Sequence, residues 1–584
     1  EIQGDVWMNI VNKINYIFDA RQKMKLLFLA LLILIGSLFE LLGVSAIFPL
    51  VNVAVEPEVI YRNGYYNKIA DLFHLETVNQ FILFMVLVIA LLYIVKNLYL
   101  ILFKNYQCGF TYNINRIIAL KLMNCYLHQD YLFHVAHNVA ELQRNVTTDV
   151  SQFTSTISAM INIIVEGCTC GLLITFLLTT DFMTTIIVVS VLSITVLGYW
   201  RITKKIQYKY GVQVRTTGTA LNKWLLQAFA GIKEIKVMDR ERFFLENYDA
   251  AYKENISALR KKDIITLMPK HVMETIVICS ILLTISIRIW QGTYIQEFVS
   301  TLSIFAVAAM RMLPSFNRIT ENIGIISYNK SGLDNVFKDL KEIENLEIKK
   351  ARQRHDVEKL KLHTEIEIDN LMFSYPMTDK KIFDDVTFRI EKNQSIAFVG
   401  SSGAGKTTLA DIIIGVLEPI KGHILVDGVD VFTHLDAWHK SIGYIPQMIY
   451  LMDDTIRANV AFGIAQDLVE EAQVWRALEE AQLADIVRGL PEGLDTVIGE
   501  RGIRLSGGQR QRIGIARALY PNPELLFFDE ATSALDTETE AAIMESINRL
   551  HGKKTLVIIA HRLATIADCD MVYRVGEGKI VQER

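Results

Sequence analysis

The feature that most constrains the fold of this chain is a glycine-rich loop, Gly400–Thr407, which reads Gly-Ser-Ser-Gly-Ala-Gly-Lys-Thr. It fits the phosphate-binding pattern G-x-x-x-x-G-K-[ST]. An apolar run typical of a strand, Ile396–Val399, precedes it, and a helix-like pattern, Leu409–Val416, follows. Backbone N–H groups of such a loop converge on phosphate oxygens at a helix N-terminus. The sequence therefore predicts a nucleotide site in which Lys406 meets the β- and γ-phosphates and the Thr407 hydroxyl ligates Mg²⁺.

Further motifs follow this loop in a fixed order. Leu505–Gln509 reads Leu-Ser-Gly-Gly-Gln, and the apolar run Leu525–Asp529 ends in a carboxylate that is followed by Glu530. His561 comes directly after another apolar run, Leu556–Ala560. With the loop, this set resembles the ATP-binding cassette (ABC) transporters, and the resemblance covers the whole chain.

The resemblance implies a role for each motif. Asp529 would hold Mg²⁺ through water, and Glu530 would be the general base that polarises the attacking water. Gln447 matches the Q-loop, His561 matches the switch histidine that contacts the γ-phosphate, and Asp536 lies in a D-loop-like stretch. The implied catalytic residues are Glu530, His561 and Gln447, and the implied metal ligands are Thr407, Gln447 and Asp529. The implied nucleotide-binding residues are Tyr375 (stacked on adenine), Gly400, Ser401, Ser402, Gly403, Ala404, Gly405, Lys406, Thr407, Thr408, Ser506, Gly507, Gly508, Gln509 and Asp536.

The resemblance also implies that the chain works as a dimer. In this family the signature residues, here Ser506, Gly507 and Gly508, complete the nucleotide site of the opposite subunit. A chain with a single ATPase module cannot close its own site in this way. We therefore expect a homodimer with two identical composite sites, using ATP and Mg²⁺.

The amino-terminal half of the chain is predicted to span a membrane six times. Hydrophobic residues make up 51% of the 584 residues, and the excess lies before residue 325. The net charge of −4 gives no argument for a nucleic-acid partner. The predicted spans are 25–54, 80–103, 155–179, 182–200, 268–290 and 297–320.

The distribution of basic residues orients the predicted spans. The 201–265 connection carries fourteen Lys and Arg residues, whereas the 55–79 connection carries only Arg62 and Lys68. By the positive-inside rule, the first faces the cytoplasm and the second faces outward. Both termini and the ATPase are then cytoplasmic. Before the first span, apolar residues at helical spacing predict an interfacial elbow helix; they are Trp7, Ile10, Val11, Ile14 and Ile17.

The order of the two halves, fused in one chain, resembles type IV ABC exporters. The implied fold class is multi-domain: an all-α six-helix transmembrane domain plus an α/β P-loop NTPase with a RecA-like core, a helical subdomain and an antiparallel β subdomain. Short helices near 131–142 and 229–239 would be coupling helices. The predicted domains are an elbow helix at 1–24, the six-span transmembrane domain at 25–324 with long cytoplasmic extensions and an external helix near 65–75, a linker at 325–362 and the nucleotide-binding domain at 363–584.

Basic residues in or beside the spans point to an anionic cargo. A cation at membrane depth is costly unless it faces a cavity or snorkels to the headgroups. Arg311 and Arg318 lie seven residues apart in span six and so share a helix face. The cations would line a cavity for a phosphate or pyrophosphate headgroup, or simply mark the cytoplasmic ends of spans. Glu40, Glu166 and Glu274 could instead neutralise them or bind cationic drugs.

The outward 55–79 segment is the second pointer to a cargo. Tyr65, Ile69, Leu72 and Phe73 recur at helical spacing, which predicts a short amphipathic helix outside the membrane, either lipid-contacting or a simple lid.

Both features resemble the lipid-linked oligosaccharide flippases of bacterial N-glycosylation. Stretches that carry the resemblance include 61–65 (Tyr-Arg-Asn-Gly-Tyr) and 311–318 (Arg-Met-Leu-Pro-Ser-Phe-Asn-Arg). It implies phosphate-binding roles for Lys96, Lys270, Arg311 and Arg318, although the two lysines lack the bidentate geometry of arginine.

The predicted function is ATP-driven flipping of a polyisoprenyl-pyrophosphate-linked oligosaccharide, or another anionic glycolipid, across the bacterial inner membrane. Alternatives are a multidrug or lipid exporter and, less favoured, a peptide exporter or a non-transporting ABC regulator.

Overall fold

The protein divides into two compact units. The structure, a computed structural model, describes residues 12–13, 15–55, 57–58, 60, 64–180, 182–290, 295–350, 358–376, 378, 380–529, 537–560 and 566–584. One unit comprises Glu1–Gln129 with Phe133–Gln353, and the other comprises Asp130–Leu132 with Arg354–Arg584. Half of the predicted elbow segment 1–24, namely residues 1–11 and 14, lies outside the described residues.

The first unit is helical throughout the residues that the structure describes. Its helices are α1 Ala20–Ser45, α2 Ile47–Val55, α3 Gly64–Leu72, α4 Val78–Leu127, α5 Tyr131–Ala136, α6 Val139–Arg144, α7 Val150–Thr180, α8 Phe182–Ala230, α9 Ile232–Met238, α10 Glu241–Trp290 and α11 Ile295–Lys350. A π-helical turn, Asn145–Asp149, joins α6 to α7.

The residues of the six predicted spans lie in these helices, and the first span is divided between α1 and α2. Within the described residues, three segments are long and apolar enough to cross a membrane: Ala20–Val51, Val78–Leu127 and Val139–Thr179. Helix α4 has 50 residues, which at 1.5 Å per residue is about 75 Å, more than twice the apolar thickness of a bilayer. Helices α8, α10 and α11 are of similar length. Each of these four helices is therefore longer than the apolar part of a bilayer.

Local sequence explains where the long helices begin and how far they continue. At the start of α4, the Thr77 hydroxyl accepts from the Gln80 N–H, and Gln80 Oε1 accepts from the Thr77 N–H, which is a capping box. Residues 325–350, predicted as the start of the linker, continue α11. Their apolar residues repeat at helical spacing, and Leu333 and Val336 are buried.

Helix α3, which was predicted to lie outside the membrane, packs with one face on other apolar residues of the first unit. Tyr66 and Ala70 pack with Phe81 of α4 in a small apolar cluster. The stripe singled out from the sequence lies on the other face, where Tyr65 is 80% exposed and Leu72 is 73% exposed. The predicted helix is present, and its predicted apolar stripe is largely exposed, although the Phe73 ring at its end packs on Phe84 of α4 at 4.5 Å between centroids.

The second unit contains two sheets. Its strands are β1 Glu365–Ser374, β2 Lys381–Glu391, β3 Ser395–Val399, β4 Lys421–Val426, β5 Val429–Asp430, β6 Ile442–Ile445, β7 Leu525–Asp529, β8 Thr555–Ile559, β9 Met571–Gly576 and β10 Lys579–Gln582. One sheet has the order β2-β1-β4-β5 and is antiparallel; the other has the order β10-β9-β3-β8-β7-β6. The α-helices of this unit are α12 Lys406–Ile413, α13 Leu435–His439, α14 Ile456–Val460, α15 Glu471–Glu480, α16 Ala484–Arg488, α17 Gly507–Leu519 and α18 Thr537–Asn548.

The larger sheet positions the nucleotide motifs. Strands β6, β7, β8, β3 and β9 are parallel, and the buried strands β7 and β8 are continuous apolar runs, as expected for strands covered on both faces. Phe398 of β3 and Asp529 of β7 both pair with Ile559 of β8. The two outer strands of this trio are therefore about 10 Å apart at this level. The phosphate loop and the carboxylate that ends β7 thus emerge from the same edge of the sheet, where open α/β sheets bind ligands.

Candidate functional sites

The phosphate loop connects β3 to the N-terminus of α12, as predicted. Gly405 is the N-cap of α12 and has a left-handed backbone, φ 102°. A Cβ at Gly405 would lie 3.0 Å from Ile382 Cγ2 and 3.1 Å from Phe383 Cζ. Both the backbone conformation and the close approach therefore require glycine at this position.

Lys406 lies over this loop. Lys406 is buried, and its ammonium donates to the carbonyl oxygens of Gly400, at 2.9 Å, and Ser401, at 3.0 Å. The charge is thus held at the mouth of a loop whose N–H groups and helix N-terminus favour an anion. This arrangement can bind the phosphate chain of a nucleotide.

Tyr375 is connected to the same helix. Its hydroxyl lies 3.0 Å from Thr408 Oγ1, within hydrogen-bond distance, and its ring meets the Phe373 ring edge-on. The side chain is half-buried. The aromatic ring predicted to stack on adenine is therefore fixed beside the phosphate-binding helix.

An acidic pair lies where the metal was predicted. Asp529 is buried at the end of β7, and the Tyr444 hydroxyl donates to its Oδ2 over 3.5 Å. Burial and the negative charge of Asp529 raise the pKa of Asp411, on α12, to about 6. Burial, together with Asp529 and Asp411, also raises the pKa of Tyr444. The Asp529 carboxylate, at the sheet edge from which the phosphate loop emerges, is a hard oxygen ligand of the kind that fits Mg²⁺.

Asp411 was missed in the sequence analysis. The available signal was an acidic residue inside the otherwise apolar segment 409–416. That signal was ambiguous because an exposed helix face would also accept an acid.

The signature motif forms the N-terminus of α17. Ser506 is the N-cap: its hydroxyl accepts from the Gln509 N–H at 3.2 Å, and Gln509 Oε1 accepts from the Ser506 N–H at 2.9 Å. Ser506 and Gly507 are exposed, whereas Gly508 is buried. An exposed, capped helix N-terminus is suited to contact phosphate on another molecule.

Three of the four remaining residues predicted for the nucleotide site are outside the part of the chain that the structure describes. Glu530, Asp536 and His561 lie outside the described residues. Gln447 is described: it is exposed and follows β6 after Pro446.

In the first, helical unit, Lys96 forms an ion pair with Glu40. Its ammonium lies 3.1 Å from Glu40 Oε2, and each side chain is only 9% exposed. The Tyr93 ring lies under the ammonium, at 4.5 Å from Nζ to the centroid. Lys96 thus connects α4 to α1, one of the arrangements that the sequence left open.

Arg318 also pairs with an acid, but it is more accessible. Its guanidinium forks onto Glu166 of α7: Nη2 donates to Oε2 at 3.1 Å, and Nε donates to Oε1. Lys270 is exposed on α10, directly after the buried Pro269. The side chain of Arg311 lies outside what the structure describes.

Comparison with known proteins identifies the family. The "ABC transporter" family model matches residues 383–533, and the "ABC transporter transmembrane region" model matches residues 22–312. The chain is 31% identical over 468 residues, 79% of its length and 74% of that protein's, to the ATP-dependent lipid A-core flippase of Aromatoleum aromaticum. The chain belongs to the ABC transporter family. It is therefore an ATP hydrolase coupled to transport across a membrane.

Two further similarities concern this transporter as a whole. It is 30% identical over 446 residues to the heterocyst differentiation ATP-binding protein HepA of Nostoc sp., covering 76% of this chain and 71% of that protein. A solved structure of a bacterial Atm1-family ABC exporter with ATP bound superposes with a TM-score of 0.73 at 24% identity. The superposition covers 97% of this chain and 95% of that one. The transporter therefore has the predicted fold, a helical transmembrane domain followed by a nucleotide-binding domain.

Proposed function

We propose that this ABC transporter is a homodimeric flippase that moves a polyisoprenyl-pyrophosphate-linked oligosaccharide, or another anionic glycolipid, from the inner to the outer leaflet of a bacterial inner membrane. Relatives such as the protein of Aromatoleum aromaticum are named lipid A-core flippases, which favours a glycolipid as the class of cargo.

The observation that carries the anionic cargo is the exposure of Arg318. Its side chain is 43% exposed, although it lies in predicted span six. A guanidinium at membrane depth is unfavourable unless it faces a polar cavity or an anionic partner. Arginine is also the side chain best suited to bind phosphate in a bidentate way. Lys270, which is exposed as well, would add charge, and Arg311 keeps its predicted role.

The external helix supports a lipid-linked cargo. The exposed Tyr65 and Leu72 form an apolar stripe on α3, in a segment predicted to face outward. An isoprenoid tail is a chemically suitable partner for such a stripe.

The nucleotide site supplies the energy for transport. The backbone of Gly400–Thr407 and the Lys406 ammonium would bind the phosphates, Tyr375 would hold the adenine, and Glu530 would polarise the attacking water. Mg²⁺, when bound, would be held by Thr407, Gln447 and Asp529 and would neutralise phosphate charge. The exposed signature at Ser506 would meet the nucleotide of the partner subunit, which makes the homodimer necessary.

A multidrug exporter receives less support. Cationic drugs would need acidic groups within the spans, and two of the three candidates, Glu40 and Glu166, are paired with cations of this chain. The third, Glu274, is exposed on α10 and is the acid that a cationic drug would meet without breaking either pair.

The test is reconstitution of the purified protein in proteoliposomes. ATP-dependent flipping of a fluorescent polyprenyl-pyrophosphate oligosaccharide would be measured for the wild type and for Glu530→Gln. We expect flipping by the wild type and none by the variant. ATPase activity without flipping of this probe would overturn the polyisoprenyl-pyrophosphate cargo.

A further inference from the structure

The ion pair of Arg318 and Glu166 is asymmetric. The Glu166 side chain is 10% exposed, whereas the Arg318 side chain is 43% exposed. The carboxylate is thus largely buried, whereas the guanidinium, which donates Nε–H and Nη2–H to it, remains partly exposed. Because a guanidinium forks onto carboxylate and phosphate with the same geometry, Glu166 already occupies one of the faces that an anionic headgroup would use.

Side-chain amides one turn from this pair join the helices that carry it. Asn322, one turn after Arg318 on α11, donates to the Arg318 carbonyl oxygen at 2.6 Å. Asn162, one turn before Glu166 on α7, donates to Asn322 Oδ1 at 3.5 Å, and Gln107 of α4 donates to Asn162 Oδ1 at 2.9 Å. These hydrogen bonds join α4, α7 and α11 one turn from the pair, and so keep the backbones that carry Glu166 and Arg318 together.

This arrangement suits discrimination between anionic lipids. A bare cation in a bacterial membrane would bind the phosphodiester of any anionic phospholipid, which carries one negative charge. A headgroup that has to displace a buried carboxylate must offer more, as a pyrophosphate or a phosphomonoester does through extra charge and acceptor oxygens. We propose that Glu166 is a specificity-determining residue of this transporter: it competes for Arg318, so that pyrophosphate and phosphomonoester headgroups engage this arginine and monoanionic phospholipids do not. The proposal rests on the phosphate-binding role that the proposed function gives to Arg318.

The experiment is a double-mutant cycle on the full-length dimer in phosphatidylcholine nanodiscs. ATPase stimulation would be titrated with undecaprenyl-pyrophosphate oligosaccharide and, separately, with phosphatidylglycerol. The proteins are the wild type, Glu166→Gln, Arg318→Gln and the double variant. Glu166→Gln keeps the size of the side chain and one of its two acceptor oxygens, so helix packing is retained. Glu246→Gln is the control, since it removes the same charge from an exposed ion pair, with Arg242, that lies outside the predicted spans.

The expected result is a loss of discrimination. In Glu166→Gln, the half-saturating concentration of phosphatidylglycerol falls by about tenfold relative to that of the pyrophosphate probe, which is 1.4 kcal/mol of selectivity. In the Arg318→Gln background, Glu166→Gln changes neither value, because the competition has been removed. Glu246→Gln leaves the ratio of the two concentrations as in the wild type.

The outcomes separate this proposal from the proposed function. A wild type that ignores the pyrophosphate probe but responds to lipid A-core overturns the polyisoprenyl-pyrophosphate cargo in favour of another anionic glycolipid, and the cycle is then read with lipid A-core in its place. An unchanged ratio in Glu166→Gln, or an equal shift with and without Arg318, overturns the role of Glu166 with either probe. A wild type that responds to neither phosphate lipid overturns both.

Discussion

Lys96 of α4 and Glu40 of α1 form a buried ion pair, with 3.1 Å between Nζ and Oε2. The pair connects two helices that are predicted to cross the membrane consecutively. Breaking such a pair leaves an uncompensated buried charge, whereas replacing both partners by apolar side chains is often neutral.

We therefore expect Lys96→Met to destabilise the protein by about 3–5 kcal/mol. The double variant Lys96→Met with Glu40→Leu should recover most of that loss. Apparent melting temperatures of the purified protein in detergent measure both effects, with Lys270→Met as a control at an exposed lysine. A double variant as unstable as the single one would show that Lys96 acts through something other than this pair.

The hydroxyl and the ring of Tyr375 should contribute separately to ATP binding. Tyr375→Phe loses the hydrogen bond to Thr408 but keeps the ring, so ATP affinity should change by less than about tenfold. Tyr375→Ala also loses base stacking, worth about 1–3 kcal/mol, and should weaken ATP binding further. Titration with a fluorescent ATP analogue measures both variants. Equal losses for Phe and Ala would remove the ring from adenine stacking.

The local motifs could be predicted from the sequence because their geometry is local. A left-handed Gly405 and a capping box at Ser506 and Gln509 depend on residues a few positions apart, so the pattern itself determines the structure. The long helices were predictable for the same reason, since 20 or more apolar residues suffice to cross a bilayer.

Contacts between distant elements could not be predicted in this way. The proximity of Asp411 to Asp529 depends on the strand order of the larger sheet, and the pairing of Glu166 with Arg318 spans 152 positions. The sequence offered Glu166 only as one of three acids that could neutralise a cation. On α3, the spacing predicted the helix, but both faces carry aromatic residues, so it did not indicate that Tyr66 rather than Tyr65 would pack inward.

A pH-dependent contribution to stability is expected at Asp427. Burial alone would raise the pKa of this carboxyl, but the backbone N–H groups of His363, Glu365 and Thr364 donate to it and lower its pKa below the usual value. Because the pKa is lower in the folded state, the stabilisation is fully present above the usual carboxyl pKa of about 4. It is lost as the pH falls through the folded-state value.

We therefore expect Asp427→Asn to lower the melting temperature at pH 7, by an amount that corresponds to about 1 kcal/mol. The difference from the wild type should shrink as the pH is lowered below 4. Thermal unfolding at a series of pH values measures this. Asp453→Asn serves as the control, because Asp453 is exposed and makes no hydrogen bond among the described residues. A difference that stays constant with pH would argue against the charge of Asp427.

Glu530 should be required for hydrolysis but not for ATP binding. Loss of a general base lowers turnover by about 100-fold or more, so Glu530→Gln should hydrolyse ATP at less than about 1% of the wild-type rate. Its affinity for ATP should be retained, since Lys406 and the loop are intact. Glu524→Gln, a change of the same type at the opposite end of β7, should leave the rate close to that of the wild type. Wild-type turnover in Glu530→Gln would exclude it as the base.

The composite nature of the two ATP sites can be tested by distributing two substitutions between subunits. Lys406→Ala disables the phosphate loop and Ser506→Ala disables the signature of the same chain. If each site combines the loop of one subunit with the signature of the other, a dimer with one substitution on each chain keeps one site fully intact. A dimer with both substitutions on one chain and a wild-type partner has a defect in each of its two sites.

The two arrangements therefore predict opposite orders of activity. Dimers isolated through different tags on the two chains should hydrolyse ATP faster when the substitutions are on separate chains. The homodimers of each single variant provide the baseline. The reverse order, with faster hydrolysis when both substitutions are on one chain, would mean that Lys406 and Ser506 act in the same site within one subunit, and that dimerisation serves only to build the membrane pathway.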